Sequence, residues 1–279
     1  MNEAALNRFK GIVTARDENI NLVEAALVVA SNEYPDLDIY ACLRSLVMMA
    51  DELQLLVLGC DDTEDIVETM NRYIFDELGF SGNLANFNDP RNSFFNDVLE
   101  RRLGIPLTLS ILYMELGSRI GLDIQGVSFP GHFLVKLQRD GRELVLDPFA
   151  GGIILDEDEL RQRLKHFTRR GRRRWQLPRL LQPASNRAIL ARLLRNLKNL
   201  YFEAEDFEHA LEMVNFLLAL SPSELAEIRD RAYIHDQLDC FRAAIEDYQR
   251  YLLLSPEADD ATYIQTRLTD LKLSAERLH

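Results

Sequence analysis

Three strings between Asn92 and Gly152 decide how this sequence folds: N-S-F-F-N-D-V-L-E-R-R-L-G-I-P-L-T-L-S over 92–110, F-P-G-H-F over 129–133, and L-D-P-F-A-G-G over 146–152. The first reads as a helix from Ser93 to Arg102, stopped at Gly104, then a second helix from Leu107 to Ile120 that Pro106 opens and Gly121 closes. Proline suits a first helical turn because its missing N–H would have no partner there. The other two strings lie in extended segments, Ile124–Phe129, Phe133–Leu137 and Glu143–Leu146, with Arg139-Asp140-Gly141-Arg142 as a hairpin turn. The middle of the chain is therefore α+β, a small antiparallel sheet on helices. A hairpin folded symmetrically about Asp140 and Gly141 sets His132 opposite Phe149 and Leu134 opposite Asp147. His132 and Asp147 become diagonal neighbours on one face, with side chains in reach of each other. A slip of one residue would separate them.

Outward from this block the chain is helical. Ile12, Val13, Ile20, Leu22, Val23, Ala26, Leu27 and Val28 predict a broad helical stripe broken at Pro35. Asp36 or Asp38 can cap a helix running toward Leu58, and Asp62 or Thr63 can begin another that closes at Gly79. On the C-terminal side, Arg161, Arg163, Lys165, Arg169, Arg170, Arg172, Arg173, Arg174 and Arg179, with Trp175, form a basic segment ending in a linker marked by Pro178 and Pro183. Beyond Asn186 the sequence repeats. Pro222 and Pro256 stand 34 positions apart, each after Leu-Ser, with Ala210 matching Ala244 and Leu217 matching Tyr251. That period and those small crossing residues are the tetratricopeptide signature, with Thr262–Leu278 as the end helix. Two units bury too little alone, so their missing surface is expected from the end helix and the α+β core.

The chain has 279 residues, 47% hydrophobic and 28% charged, with a net charge of −13. This composition fits a globular protein with a full core. The acidic balance opposes whole-chain attraction to nucleic acid or an anionic membrane. No apolar run is long enough to span a bilayer, and the first residues lack the basic and apolar regions of a secretory signal. Cys42, Cys60 and Cys240 are odd in number and scattered, predicting neither a zinc site nor a disulfide framework, as in a reducing cytoplasm. No P-loop, H-E-x-x-H, G-x-G-x-x-G or Ca²⁺ loop is present, so no cofactor or metal is expected.

The three strings, in this order, resemble the SirB-type bacterial family, in which a transglutaminase-like core precedes tetratricopeptide repeats. The resemblance implies an α+β, mostly helical chain: a helical N-terminal segment over 1–80 packed on the core, a transglutaminase-like (papain-like) core with a small antiparallel sheet over 81–180, and a repeat region over 185–279. In that superfamily a Cys at a helix N-terminus attacks an acyl group, a His at a strand start is its base, and an Asp on the next strand orients the His. By motif, the resemblance places the His at His132 and the Asp at Asp147. The G-x-C string is Gly104-Ile105-Pro106 here, so Pro106 holds the nucleophile position. Asn92, Arg102, Thr108 and Gly131 in the same strings are candidate binding residues.

Two readings of His132 and Asp147 stand side by side: a hydrogen-bonded core histidine with Asp147 capping the turn at Pro148, or a remnant binding site. Thr108 points away from the Pro106 face and Ser110 returns to it about 6 Å further along the axis. Cys60 follows Gly59 before a helix but has no base near it in sequence. Asp89 and Ser93 read as helix caps, and Glu100, Arg101 and Arg102 as a solvated helix end. The expected function is non-catalytic, a cytoplasmic interaction or regulatory protein binding a protein partner through its repeats. The alternatives are a cryptic acyl-transfer enzyme or amide hydrolase using His132 and Asp147, and nucleic-acid binding through Arg169–Arg179.

Overall fold

The computed structural model describes residues 2–139, 141–168 and 176–277. Two compact units are present, one of Ala15–Leu193 and one that joins Met1–Thr14 to Leu194–His279.

The N-terminal helical stripe is two helices. Helix α1 (Glu3–Val13) is capped by Asn2, and α2 (Leu22–Glu33) by Asn21, whose side chain accepts from the Glu24 N–H. Between them lies a short 3-10 turn at Asp17–Asn19. In the larger unit, α2 carries seven buried residues from Val23 to Ala30 and runs inside the core. Helix α3 (Ile39–Val57) starts at the Asp38 cap, and α4 (Thr63–Asn71) at the Asp62 cap, followed by a π-helical stretch over Arg72–Glu77. A short parallel pair, β1 (Ser81–Gly82) with β2 (Leu103–Gly104), brackets α5 (Phe95–Arg101). Helix α6 (Pro106–Arg119) then begins at proline, as the sequence predicts.

The sheet is antiparallel in the order β3 (Ile124–Val127), β4 (Leu134–Arg139), β5 (Arg142–Asp147), β6 (Ile153–Ile154). Val135 pairs with Leu146 and Leu137 with Leu144, the register that symmetric folding of the hairpin requires. Gly141 takes a φ of 75°, which glycine adopts without a Cβ penalty. Helix α6 packs on β3, β4 and the Pro148–Ala150 turn. On α7 (Glu157–Thr168), Leu160 and Leu164 join Val127, Phe129, Leu134 and Val145 in a buried cluster.

The stretch read as a linker is part of this unit. Leu177, on α8 (Leu177–Leu180), is buried in the same cluster, Pro183 bridges Val127, and the Ala184 N–H donates to Gly126 O. A proline-bearing segment thus covers the outer edge of β3, which would otherwise be open for pairing.

Helix α9 (Asn186–Glu203) contains the boundary between the units. After it come α10 (Phe207–Leu220), α11 (Leu225–Gln237), α12 (Phe241–Leu254) and α13 (Ala261–Arg277). The repeat is visible in the backbone: Glu205 and Asp239, equivalent positions, both take φ of 56° at the turn into the following helix. Ala210 and Ala244 are fully buried. The end helix α13 packs on α12, while α1 packs on α10 through Phe9 edge-on to Phe216 at 5.1 Å. Residues 1–80 are therefore not one segment on the core. Leu6, Phe9 and Val13 form an apolar stripe that α10 buries, so Met1–Thr14 belongs with the repeats.

Candidate functional site

The sequence puts His132 two residues before β4 and Asp147 at the end of β5, and the register brings them together. His132 Nε2 lies 2.8 Å from Asp147 Oδ1. The Asp147 side chain is only 2% exposed, that of His132 20%. Gly131, with φ of 68°, is the exposed turn residue that presents the histidine. An ionised carboxylate only accepts, so Nε2–H donates, and in the neutral form of the ring Nδ1 keeps its lone pair. Asp147 Oδ1 also accepts the Phe149 N–H at 3.1 Å, capping the Pro148–Ala150 turn. The hydrogen-bonded histidine and the cap of the turn at Pro148 thus share one carboxylate.

A third partner comes from the basic segment. Arg163 on α7 donates to Asp147 Oδ2 at 2.5 Å. Burial raises the Asp147 pKa, but the hydrogen bonds and charges of His132 and Arg163 more than offset it and hold the carboxyl below its ordinary value. The charge is thus compensated from two sides. Arg161 of the same segment pairs with Glu157 one turn earlier. Arg169, Arg170, Arg172, Arg173, Arg174 and Trp175 lie outside the described residues, so the proposed arginine stripe is represented here by its flanks alone.

An aromatic wall adjoins the histidine. Phe149 meets His132 edge-on at 5.9 Å between ring centroids, and Phe87 meets Phe149 at 6.0 Å. Gly82 is required beneath it, since a Cβ there would stand 2.5 Å from the Phe149 ring. Phe87 is half exposed. Its loop is fixed by Asn92, which is fully buried. Asn92 Nδ2 donates to Asn86 O and Phe87 O, and its Oδ1 accepts from Asn83 Nδ2.

Thr108 completes this scaffold. Its hydroxyl donates to Asn92 O at 2.8 Å and accepts the Ile105 N–H at 3.1 Å, tying the start of α6 to the loop. Asn92 and Thr108, read as binding residues, act here as fully buried supports for the loop. Pro106 is the buried first residue of α6. Ser110 is also fully buried, and its Oγ has no hydrogen-bond partner.

Arg102 lies elsewhere, at the left-handed C-cap of α5, with its guanidinium over the Phe80 ring at 4.4 Å. Burial lowers its pKa. Arg101 pairs with the nearly buried Asp89 at 3.3 Å. The expected solvated helix end is instead a packed one, because Asp89 and Phe80 draw both cations inward. Asp89 caps the Pro90–Asn92 turn as expected, whereas Phe94, and not Ser93, stands at the α5 cap. Cys60 Sγ contacts Thr69 Oγ1 at 3.5 Å. Among the described residues no group of three or more His, Cys, Asp or Glu is arranged to hold a metal ion.

The hairpin pattern already set Phe149 opposite His132, whereas Arg163 on Asp147 and Phe87 on Phe149 were not foreseen. A signal for Arg163 existed: it directly precedes the core residue Leu164 on an amphipathic helix.

A small antiparallel sheet presenting a His–Asp pair beside a helix, followed by 34-residue helical repeats, defines a transglutaminase-like core joined to a tetratricopeptide array. Comparison with known proteins agrees. The model of the transglutaminase-like superfamily matches residues 40–195, and a tetratricopeptide-repeat model matches residues 197–269. The chain is 37% identical over 278 residues to a UPF0162 protein of Xylella fastidiosa (strain Temecula1), covering 97% of this chain and 96% of that one. It is 32% identical to a UPF0162 protein of Vibrio cholerae, covering 90% and 93%, and 25% identical to Protein SirB1 of Salmonella typhimurium, covering 88% and 90%. The chain belongs to this UPF0162/SirB1 family of transglutaminase-like proteins.

Proposed function

We propose that this is a non-catalytic, cytoplasmic interaction protein of regulatory role, whose core has lost covalent acyl chemistry and keeps the His132–Asp147 pair for recognition. The observation that carries the reading is Pro106 at the first position of α6, where the superfamily places its thiol. A proline offers no nucleophile, and none of Cys42, Cys60 and Cys240 is near it in sequence. Asp147 compensated by Arg163 and the Phe149 N–H is suited to fixing the histidine ring, leaving Nδ1 to accept from a partner. The Phe149–Phe87 wall supplies apolar contact beside it, and tetratricopeptide arrays in general bind protein segments.

A second reading is favoured by the intact 2.8 Å His132–Asp147 contact: acyl transfer or amide hydrolysis with another nucleophile. Ser110 is the hydroxyl on the Pro106 side, and its complete burial opposes that role. Nucleic-acid binding is the least supported, because Arg161 and Arg163 are already paired with carboxylates and the chain is strongly acidic.

The test is affinity capture from native lysate by full-length protein, run in parallel with the His132→Ala and Phe87→Ser variants, with mass-spectrometric identification. The expected result is a protein partner retained by wild type and reduced by both variants. Capture indifferent to both variants would remove the core from the binding role.

A further inference from the structure

Helix α3 buries Ile39, Leu46, Met49, Ala50 and Leu53 against its neighbours in the unit. Its opposite face is also apolar. Tyr40, Val47, Met48, Leu55 and, just past the helix, Leu58 are between 39% and 73% exposed. At about 100° per residue these five, with Arg44 and Asp51, fall within an arc of about 100° pointing away from the buried stripe. Singly exposed apolar residues are ordinary on a protein surface, but five aligned on one helix face are a patch that wants a cover.

The order of residues along the stripe says what that cover is. Reflected through the midpoint between Val47 and Met48, Tyr40 falls on Leu55, Arg44 on Asp51, and Val47 on Met48. The stripe is therefore complementary to itself when reversed, apolar against apolar and the single cation against the single anion. Self-complementarity under reversal is the requirement of a two-fold symmetric interface between identical chains. Arg44 is available for it: its pair with Asp38 is long, at 3.6 Å, and both side chains are more than half exposed. Such a surface pair exchanges readily for another.

We propose that the outward face of α3 is a self-association surface, on which α3 of a second copy lies antiparallel, with Arg44 of each chain on Asp51 of the other. From Tyr40 to Leu55 the stripe is about 22 Å long. A single helix pair of that length stays below the ~1,200 Å² of a standard interface, so the dimer is weak, of the micromolar class.

Sedimentation equilibrium of the full chain over a concentration series tests this. Wild type should move reversibly from monomer to dimer. Arg44→Asp or Asp51→Arg alone turns two attractive contacts into two repulsive ones and should weaken the dimer about tenfold. The double variant restores opposite charges across the two-fold and should dimerise within about twofold of wild type, which also excludes misfolding as the cause of either loss. Met48→Asp, near the symmetry axis, should leave only monomer. A monomer at every concentration, single reversals without effect, or a double variant as weak as the singles would each overturn the proposal.

Discussion

Removing the Asp147 carboxylate should unlock the site from its base. The side chain is 2% exposed and holds His132 Nε2 at 2.8 Å, Arg163 at 2.5 Å and the Phe149 N–H at 3.1 Å. Breaking a buried charge pair by deleting one partner costs about 3–5 kcal/mol. His132 and Arg163, with side chains 20% and 31% exposed, recover some hydration, which brings Asp147→Ala to about 2–4 kcal/mol. Asp147→Asn keeps an oxygen for His132 and the Phe149 N–H but faces Arg163 without a charge, and should cost about 1–2 kcal/mol. The pH dependence has a definite sign. The folded-state pKa is depressed, so the stabilisation is complete above the unfolded value of ~3.9 and is lost as pH falls through the lower folded value. In the asparagine variant that acid-side loss should shrink. Urea unfolding at neutral pH and below pH ~4 measures both effects, and amide exchange along β5 locates them in the sheet. A cost under about 0.5 kcal/mol for the alanine variant, or an unchanged acid limb in the asparagine variant, would mean that the Asp147 carboxylate does not hold the site together.

Asn92→Ala removes the bonds to the Asn86 and Phe87 carbonyls and from the Asn83 amide, and should lower core stability by about 2–4 kcal/mol in urea titrations while increasing amide exchange in the Phe87 loop. Phe9→Ala, at a fully buried ring against Phe216, should cost the repeat unit about 3–5 kcal/mol by thermal unfolding. For the same reason residues 185–279 expressed without α1 should show a poorly cooperative melt. Pro106→Cys places a thiol at a helix N-terminus, and its alkylation should be faster than that of surface Cys240 and slow down when His132→Ala is added.

What was legible in the sequence was local chemistry. Asp38 and Asp62 act as caps because a short carboxylate can reach an unpaired N–H in the next turn. The sheet register followed from one glycine turn and an alternating pattern, and it carried the His132–Asp147 contact with it. The break between α1 and α2 was also written there, as Asn21 three residues before Glu24, but the apolar run across it masked the cap. Long-range partners were not legible. An amphipathic helix announces a buried face without naming what covers it, so α1 could not be assigned to α10 from Leu6, Phe9 and Val13. Arg101 and Arg102 likewise read as solvated charge and Arg163 only as one of a basic run, and tertiary packing alone set them on Asp89, Phe80 and Asp147.

Intact-mass analysis after incubating full-length protein with an electrophilic amide-mimic probe tests the central claim most directly. No covalent adduct that depends on His132 is expected: whatever labels Cys42, Cys60 or Cys240 should label the His132→Ala and Asp147→Asn variants equally. A stoichiometric adduct on wild type that disappears in both variants would show that the core still performs covalent catalysis and is no mere recognition site.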